Sequence, residues 1–363
     1  MLQKNKETKR KQPFTDVPPR YILWGSIGVV VLALLFLVLF PMLKAAKRVL
    51  PQESSSSEPQ SEKTNRHPLT GVWLSEPVEL PRVFGVMIDD QVDAWPQSGI
   101  DQAFLVIEAP VEASIPRMIA FFDQSQAVEK IGPVRSARPY FIDWNNEFDA
   151  LYAHVGGSNE ALDKIENGGT FDLNEYSHST TFWRATTRMA PHNAYTSTER
   201  LNEYLQKRIE ADLVPELLYE SWQFKDPEDT SKSEINSKMI VDYWAPTYTA
   251  QWNFDAQTNQ YVRFQGGKQS LTLDGNPIKT DNVGVVVTDV SVLDAVGRRK
   301  IRTTGEGKAW VLQDGTVIEA VWKKPSISQR LRFYVQDQEL KMNPGKTWIQ
   351  IVPSEFDVTF LQE

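Results

Sequence analysis

The sequence predicts a single N-terminal transmembrane helix, followed by an α/β (α+β) ectodomain with a mixed sheet and then a mainly β C-terminal domain. Residues 21–43 form an uncharged, mostly apolar run. Strand-like apolar segments alternate with helical patterns between residues 68 and 225, and two-residue alternation with frequent turn signals fills residues 237–353. A chain of 363 residues is long enough for about two domains of ordinary size.

The apolar run at residues 21–43 is long enough to cross a bilayer. A helix of that length rises roughly 34 Å, against a hydrocarbon core of about 30 Å. A cleaved signal peptide is the alternative, but its apolar region would be shorter, and no small-x-small cleavage pattern follows Phe40. Basic side chains are more frequent before the run than after it: Lys4, Lys6, Lys9, Arg10, Lys11 and Arg20, against Lys44, Lys47 and Arg48. The positive-inside rule therefore predicts a single-pass plasma-membrane protein with a cytoplasmic tail at residues 1–20 and an extracytoplasmic remainder.

The composition of the chain argues against nucleic acid as a partner and against a zinc site. Residues 44–67 are polar and serine-rich, so we expect a disordered linker between the membrane and the folded part. The chain has a net charge of −8 although its N-terminus is basic, so the ectodomain is acidic. An acidic surface argues against binding nucleic acid, which requires a basic face. The absence of cysteine fits an exported chain and, with no histidine pair at ligand spacing, argues against a zinc site.

The ectodomain at residues 68–225 is predicted to start with strands and to continue with strand–helix–strand units. The predicted strands are 82–90, 103–108, 118–122, 128–134 and 149–155, and the predicted helices are 136–146 and 159–165. The stretch after Pro116 has a helix as its alternative, because a short apolar run does not define its own period. Strands 128–134 and 149–155, joined by a helix, should be parallel and connected in the right-handed sense.

The remaining segments are a loop, a long helix, a linker and the β domain. Residues 172–191 are predicted to be a long loop, and a capping box at residues 196–199 should start the helix that closes this half. Polar, proline-containing residues 226–236 predict a linker between two domains. The mainly β C-terminal domain then occupies residues 237–353, and residues 354–363 form a tail.

The most specific stretch of the sequence is residues 131–140, which we name the Arg turn. A Gly-Pro pair ends the preceding strand, Ser136 is the predicted N-cap of the next helix, and Pro139 falls in its first turn, where a missing N–H costs nothing. Arg135 and Arg138 would flank this helix N-terminus. Free N–H groups and the helix dipole favour an anion there, and two guanidiniums add donors for phosphate or carboxylate. We therefore expect an anion-binding site.

A second turn, Gly156-Gly157-Ser158, opens the next predicted helix. Two consecutive strands that each lead into a helix bring both turns to the same sheet edge, where ligands bind in open α/β sheets. Gly-Gly before a helix is often a plain turn, so this signal is weak alone. The predicted ligand-binding residues are Arg135, Ser136, Arg138, Arg117, Gly156, Gly157, Ser158, Arg184 and Asn193.

Structural roles are the alternative for these residues. Arg135 and Arg138 would then hold strand ends together, because ion-pair networks imitate binding sites. Their carboxylate partners in that alternative are Asp89, Glu108 and Glu112. The catalytic candidates are Glu108, Glu112, His154 and His192, although a single histidine at a strand end, such as His154, is as often a hydrogen-bonded core residue. Asp89 and Asp90 are weak candidates for a divalent metal, and no other cofactor is expected.

Several long motifs resemble one protein family. They are the Arg turn, Glu108-Ala109-Pro110-Val111-Glu112, His154-Val155-Gly156-Gly157-Ser158 and Pro191-His192-Asn193, with Gly297-Arg298, Gly305-Glu306-Gly307-Lys308, Trp322-Lys323-Lys324 and Asn343-Pro344-Gly345-Lys346-Thr347-Trp348-Ile349. From about residue 68 to residue 353 the chain resembles the YerB-like bacterial envelope lipoproteins, which have paired N- and C-terminal domains of unknown function. This resemblance implies an extracytoplasmic protein and assigns no activity.

The chain departs from the family pattern in two places. Typical members carry a lipobox cysteine, whereas this chain has no cysteine and has an apolar run instead, so a lipid anchor is not inferred. Where the family usually has Gly-Gly-Ile-Thr-Arg, this chain has Ala113-Ser114-Ile115-Pro116-Arg117. The arginine is kept, and we expect the local backbone to differ.

Three functions remain open at this point. The first is binding of an anionic cell-envelope ligand at the Arg turn, and the second is an envelope hydrolase or transferase that acts on a phosphorylated or glycan substrate. The third is an envelope scaffold with a structural Arg–carboxylate network. The expected partners are the membrane, through the N-terminal helix, and an anionic envelope ligand or an envelope protein, but no nucleic acid.

Overall fold

The computed structural model describes residues 65–226 and 237–362. The predicted cytoplasmic tail and transmembrane helix lie outside these residues, as does most of each predicted linker. Within the described ranges, no helix has both the length and the apolar character needed to cross a bilayer. The described residues belong to one unit, Lys63–Glu363.

Helices are few and short in the described part of the chain. The α-helices there are α1 (Pro139–Asn145), α2 (Asn159–Glu166) and α3 (Thr198–Glu210). Short 3-10 helices are formed by Val92–Ala94, Ile100–Gln102, Glu112–Ser114, Ser179–Thr181, Pro246–Tyr248 and Glu355–Asp357. Helices α2 and α3 each start after a serine, Ser158 or Ser197, whose hydroxyl accepts a hydrogen bond from a backbone N–H of the first turn.

Strands form most of the regular structure. In the first half they are β1 (Val83–Asp89), β2 (Leu105–Pro110), β3 (Pro116–Asp123), β4 (Leu151–His154), β5 (Asp172–Asn174), β6 (Trp183–Arg184) and β7 (Ala194–Tyr195). In the second half they are β8 (Ser237–Val241), β9 (Ala250–Asp255), β10 (Gln260–Gln265), β11 (Lys268–Gln269), β12 (Lys279–Thr280), β13 (Asn282–Val287), β14 (Val290–Val292), β15 (Arg299–Ile301), β16 (Gly305–Gln313), β17 (Thr316–Lys324), β18 (Arg332–Val335), β19 (Gln338–Glu339), β20 (Thr347–Val352) and β21 (Val358–Gln362). The predicted mixed sheet and the mainly β C-terminal part are confirmed.

One mixed sheet of eleven strands runs through both halves, in the order β19-β18-β17-β16-β13-β20-β2-β3-β1-β4-β5. At its centre β2 and β20 pair in parallel, with Leu105 opposite Thr347 and Glu108 opposite Gln350. All residues of β1, β2, β3 and β20 are buried. Burial on both faces explains why these strands have nearly continuous apolar sequences.

A second, smaller sheet packs on one face of the first. Its strand order is β11-β10-β9-β8-β21, and β12 also pairs with β10. Strands β8, β9 and β10 alternate buried and partly exposed residues, as expected for a sheet with one face on a core. The buried face contributes Met239, Trp252 and Tyr261 to an apolar cluster that also contains Val86 and Trp348 of the large sheet.

The opposite face of the large sheet packs against the first two helices. Phe141 and Trp144 of α1 and Ala161 of α2 share a second apolar cluster with Met87 of β1 and Trp322 of β17. Each of the two clusters therefore contains residues from both predicted domains. The predicted division at residues 226–236 lies mostly outside the described residues and stays a prediction.

The segment before the Arg turn differs from its prediction. Residues 128–134 form no strand and make isolated bridges instead, of which one joins Ile88 to Val134 and another joins Ile131 to Thr196. Strand β4 consequently pairs in parallel with β1, not with this segment. Short apolar runs do not distinguish a strand from a buried irregular segment, which is why the sequence pattern was misleading.

Two further predictions concern the ends and types of elements. Helix α1 begins at Pro139 with Arg138 as its N-cap, so the predicted cap at Ser136 is wrong. The fixed φ of proline suits the first helical position, which explains this later start. The strand predicted at residues 118–122 is confirmed as part of β3, and its helical alternative is wrong.

Cleavage between residues 227 and 236 is expected to leave the two halves bound to each other, because β2 pairs with β20 and both apolar clusters are shared. After limited proteolysis of the detergent-solubilised full chain, both fragments should elute together in native gel filtration and separate only in denaturant. A denaturing gel verifies the cut. Two independently eluting folded fragments would contradict the shared packing.

Candidate functional site

The Arg turn lies between the end of β1 and the turn that follows β4. The N–H of Arg135 donates to the carbonyl of Met87 at 2.8 Å, and the carbonyl of Arg135 accepts from Val155 at 3.0 Å. The N–H of Ala137 donates to the carbonyl of Gly156 at 2.9 Å. The Arg turn and the Gly156-Gly157-Ser158 turn therefore lie side by side.

Arg138 is held by Glu112 in a bidentate ion pair. Its Nε and Nη2 donate to the two carboxylate oxygens at 2.7 and 2.8 Å, and its Nη1 donates to the carbonyl of Ala137 at 2.8 Å. The two side chains are only 13% and 19% exposed. Burial acts to raise the pKa of Glu112, but hydrogen bonds and the charge of Arg138 outweigh it and lower this pKa below its usual value. Arg138 thus has the partner that the structural alternative predicts.

Asp89 gathers Arg135 and His192 at the end of β1. One carboxylate oxygen, Oδ2, lies 3.2 Å from Arg135 Nε and 2.7 Å from His192 Nδ1. The other oxygen accepts from the N–H of Gln91 at 3.1 Å. Because Asp89 is buried, it fixes the imidazole of the β6–β7 loop, and Nε2 points away from the carboxylate. A carboxylate orients a general base in this way in hydrolases.

Arg117 adds a third guanidinium to this group. It lies on β3 opposite Asp89, is buried, and donates through Nη1 to the carbonyl of Ser136 at 3.1 Å. Burial, together with the neighbouring charge of Arg138, lowers the pKa of Arg117 to about 10. The three arginines of this cluster face two carboxylates, Asp89 and Glu112. Positive charge is therefore in excess at the Arg turn.

Glu108 belongs to a separate, fully buried network between the two sheets. Its carboxylate accepts from Arg263 Nη2 at 2.9 and 3.1 Å, from Trp348 Nε1 at 2.9 Å and from Gln350 Nε2 at 3.0 Å. Burial acts to lower the pKa of Arg263, but the charges of Glu108 and Asp90 outweigh it and raise this pKa. Of the three carboxylates predicted to pair with the Arg turn, Glu108 is the one that does not.

Asp90 extends the same buried network. Its Oδ1 accepts from Trp95 Nε1 at 2.7 Å and its Oδ2 accepts from Gln265 Nε2 at 2.6 Å. Burial raises the pKa of Asp90 to about 7. Asp89 and Asp90 thus have different partners despite their adjacency. Among the residues that the structure describes, no group of three or more acidic or histidine side chains is arranged to hold a metal ion.

His154 is a buried link between β4 and β5. Its Nδ1 lies 2.7 Å from the carbonyl of Gly156, and its Nε2 lies 2.6 Å from Asp172 Oδ1. Both ring nitrogens are therefore engaged in hydrogen bonds. With neither nitrogen free, His154 has the environment of a hydrogen-bonded core residue and not that of a general base.

The remaining predicted ligand residues are placed as follows. Arg184 Nη1 donates to Asn193 Oδ1 at 3.1 Å, and Arg184 Nε pairs with Glu175 at 3.2 Å. Arg184 is the last residue of β6, and Asn193 directly precedes β7. Ser158 caps α2, and Ser136 contributes its backbone carbonyl to Arg117.

A cleft of about 210 Å³ opens beside Arg138, between the N-terminal ends of α1 and α2 and the β14–β15 hairpin. We name it the basic cleft, and it is lined by Arg138, Pro139, Tyr140, Asp143, Ser158, Glu160, Leu293, Arg298, Arg299, Lys300 and Ile301. Arg298 pairs with Glu160 and Asp294. Within the described residues, no carboxylate lies within ion-pair distance of Arg299 or Lys300.

The sequence prediction did not include Arg298, Arg299 and Lys300. The signal that could have selected them is a run of three basic residues in an acidic domain. Only the fold shows where that run lies, because Arg298 meets Glu160 across 138 sequence positions.

The loop that carries Glu112 has an unusual backbone. Ala113 and Ser114 have φ values of 56° and 58°, in the left-handed region. These are the positions where the family usually has Gly-Gly, and glycine adopts this region without the steric cost that a Cβ adds. Ala113 and Ser114 thus adopt a conformation that suits glycine, and the expected difference in local backbone stays a prediction.

Comparisons with known families and proteins agree over both halves. Residues 69–213 match the family described as "Protein of unknown function (DUF3048) N-terminal domain", and residues 239–349 match its C-terminal domain. A Bacillus subtilis (strain 168) protein named "Putative lipoprotein YerB" is 33% identical over 310 residues, which cover 83% of this chain and 90% of that protein. The chain belongs to the YerB-like DUF3048 family.

The fold of this DUF3048 protein is shared with a solved relative. The crystal structure of YerB from Bacillus subtilis aligns with a TM-score of 0.73 at 32% identity, and the match covers 82% of this chain and 99% of that one. The resemblance drawn from the sequence motifs is confirmed.

Replacing Arg138 by alanine is expected to lower the free energy of unfolding of this DUF3048 protein by about 1–3 kcal/mol, because Glu112 loses a mostly buried partner. The folded pKa of Glu112 lies below its usual value of 4.5. The pair therefore stabilises fully above that value and loses its effect as pH falls through the lowered pKa. The difference between wild type and Arg138→Ala, measured by denaturant unfolding, should be largest at neutral pH and shrink in acid.

The control for this experiment is Arg184→Ala, which removes a more exposed ion pair and should cost less than about 1 kcal/mol. Equal losses in both variants, or a loss in Arg138→Ala that is independent of pH, would contradict a stabilising Arg138–Glu112 pair.

Replacing Arg263 by methionine is expected to destabilise by roughly 3–5 kcal/mol, because a fully buried Glu108 is left without its cation. The double variant Glu108→Met with Arg263→Met should recover part of that loss, since no unpaired charge then remains. The coupling free energy between Glu108 and Arg263 is measured by thermal and denaturant unfolding of four proteins: the wild type, the two single methionine variants and the double variant. Additive losses would show that the two residues do not act as a pair.

Proposed function

We propose that this protein is a membrane-associated, extracytoplasmic binding protein that takes an anionic, phosphate- or carboxylate-bearing envelope ligand in the basic cleft. The observation that carries the proposal is the excess of positive charge at this place. Four cations line the cleft, Arg138, Arg298, Arg299 and Lys300, against the two carboxylates of Asp143 and Glu160, and Arg299 and Lys300 have no carboxylate partner among the described residues.

The basic residues of the cleft have two different roles in the proposed binding. Arg138 already donates hydrogen bonds to Glu112 and Ala137. It therefore contributes its positive charge to the cleft wall, and few free hydrogen-bond donors. Arg299 and Lys300, in contrast, supply donors to a bound anion. A guanidinium and an ammonium are strong donors to phosphate and carboxylate oxygens. A volume of about 210 Å³ is several times the roughly 30 Å³ that one water occupies in liquid.

The proposed location rests on the sequence and on a relative. The apolar run at residues 21–43, with basic residues before it, favours a single-pass anchor with the folded part outside. The Bacillus subtilis relative carries the name of a lipoprotein, which favours the same side of a membrane for this chain.

A second candidate function is an envelope hydrolase or transferase. The observation in its favour is the Asp89–His192 pair, in which a buried carboxylate orients an imidazole at 2.7 Å. This candidate predicts release of phosphate from a phosphoester by the wild type and a strong loss in His192→Ala. A binding protein would show ligand uptake without turnover.

Calorimetric titration of the detergent-solubilised full chain with pyrophosphate tests the proposed function. We expect saturable binding, and Arg299→Gln with Lys300→Gln should raise the dissociation constant at least about tenfold, because a charged hydrogen bond is worth roughly 1.5–3 kcal/mol. The control pair Lys207→Gln with Lys268→Gln removes the same charge at exposed positions elsewhere and should bind like the wild type. No binding by the wild type, or equal weakening in both pairs, would overturn the proposal.

A further inference from the structure

The tip of the β14–β15 hairpin, residues 292–298, exposes apolar side chains to water. Val292, Leu293 and Val296 are 55%, 51% and 70% exposed. We name this segment the hairpin tip. Single exposed apolar residues are common on protein surfaces, but three of them within five residues of one hairpin form a group that is typical of an interaction surface.

The hairpin tip is an ordered loop. Asp294 Oδ1 accepts from the N–H groups of Val296 and Arg298 at 3.1 and 3.2 Å, and Asp294 Oδ2 pairs with Arg298 Nε at 2.7 Å. The N–H of Leu293 also donates to the carbonyl of Arg298 at 2.7 Å. The apolar side chains are therefore held in fixed positions on the outside, and the loop does not turn them inward.

The base of the hairpin has a different chemistry from its tip. Arg299 and Lys300 lie on β15, and the guanidinium of Arg299 lies over the ring of Trp244 at 5.3 Å. Trp244 is 40% exposed and is fixed by a hydrogen bond from Nε1 to Asp357 at 3.0 Å. The hairpin thus has apolar side chains at its tip, and an exposed tryptophan and two cations at its base.

This order of side chains matches the order of layers at a membrane surface. Apolar side chains enter the acyl boundary, tryptophan prefers the interface, and arginine and lysine meet lipid phosphates. The local positive charge contrasts with the net charge of −8 of the whole chain. The charge complementarity of Arg299 and Lys300 therefore selects an anionic lipid surface as the occupant of this face.

We propose that the hairpin tip inserts into the surface of a bilayer that contains anionic phospholipid, with Arg299 and Lys300 at the level of the lipid phosphates. This goes beyond ligand binding in the basic cleft. Leu293 and Arg298 of the hairpin tip also line that cleft, but Val292 and Val296 do not. The cleft would then open close to the membrane surface.

The absence of cysteine from the chain makes a direct test simple. Ala295→Cys at the hairpin tip and Met189→Cys at a distant exposed position each carry one environment-sensitive nitrobenzoxadiazole label. The labelled full chains are reconstituted into vesicles of phosphatidylcholine alone or of equal parts phosphatidylcholine and phosphatidylglycerol. Emission wavelength and quenching by spin-labelled lipid report entry of the label into the bilayer.

The label at residue 295 should shift to the blue and be quenched in vesicles with phosphatidylglycerol, and the label at residue 189 should do neither. Arg299→Gln with Lys300→Gln should weaken the contact equilibrium about 30-fold, since two basic groups near an anionic surface are lost. Val292→Ser with Val296→Ser should also abolish the shift while retaining pyrophosphate binding, which shows that the fold and the cleft are intact.

Three outcomes would overturn the proposal. One is an unshifted label at residue 295 with phosphatidylglycerol, and another is an equal shift in phosphatidylcholine alone. The third is an equal shift in detergent with energy transfer between copies, which would assign the tip to self-association. Failure of pyrophosphate binding with a normal lipid shift would count against the proposed function alone.

Discussion

The buried ion pair between Glu108 of β2 and Arg263 of β10 joins the two sheets, and the arrangement of the molecule depends on it. Removing two charges from water costs several kcal/mol per ion, so such a pair is tolerated only when further hydrogen bonds surround it. Trp348 and Gln350 of β20 donate to the carboxylate, and Gln265 and Ser270 accept from Nη1 of the guanidinium, whereas Nε of Arg263 has no hydrogen-bond partner among the described residues. Strands from both halves of the chain must therefore be in place together.

The same requirement fixes the register of the central strands. A slip of one residue between β2 and its neighbours would turn Glu108 to the other face of the sheet, into the apolar cluster under α1. Correct register places Asp89 opposite Arg117 at the ends of β1 and β3, beside the Arg turn. Beyond β20, strand β13 leads into the hairpin that forms the outer wall of the basic cleft. The cleft is thus assembled from both halves by the packing of the central strands.

Sequence reasoning was most successful where local pattern and tertiary packing agree. Strands β1 to β3 have nearly continuous apolar runs because both faces of the large sheet are covered, and α2 follows Ser158. Helix α3 has Ser197 as its N-cap, one residue later than the predicted capping box at residues 196–199. Residues 128–134 bury Val128, Ile131 and Val134, but they pack as irregular chain, because a buried side chain does not require a ladder partner.

The candidate site was only partly visible in the sequence for a similar reason. The Arg turn and the Gly-Gly turn follow elements that are close in sequence, so their proximity could be inferred. The partner of Glu108 lies 155 positions away, and no local pattern distinguishes it from a partner at the Arg turn. Arg299 and Lys300 reach the cleft only through the order of strands in the large sheet. Such long-range pairings depend on topology, which a single sequence does not display.

The parallel pairing of β2 with β20 also affects how the chain reaches this fold. Their contacts join residues up to 242 positions apart, so β2 is synthesised long before the strand that completes its environment exists. Until β20 has been synthesised and has paired, one edge of the apolar strand β2 stays open, and open edges of this kind promote aggregation. Non-local pairing also slows folding, because the entropy of closing a long loop is lost before contacts form. In the extracytoplasmic setting proposed above, the N-terminal half would be exported first. It would stay incompletely folded until the C-terminal half follows. The strand order therefore requires that the N-terminal half be protected from aggregation during export.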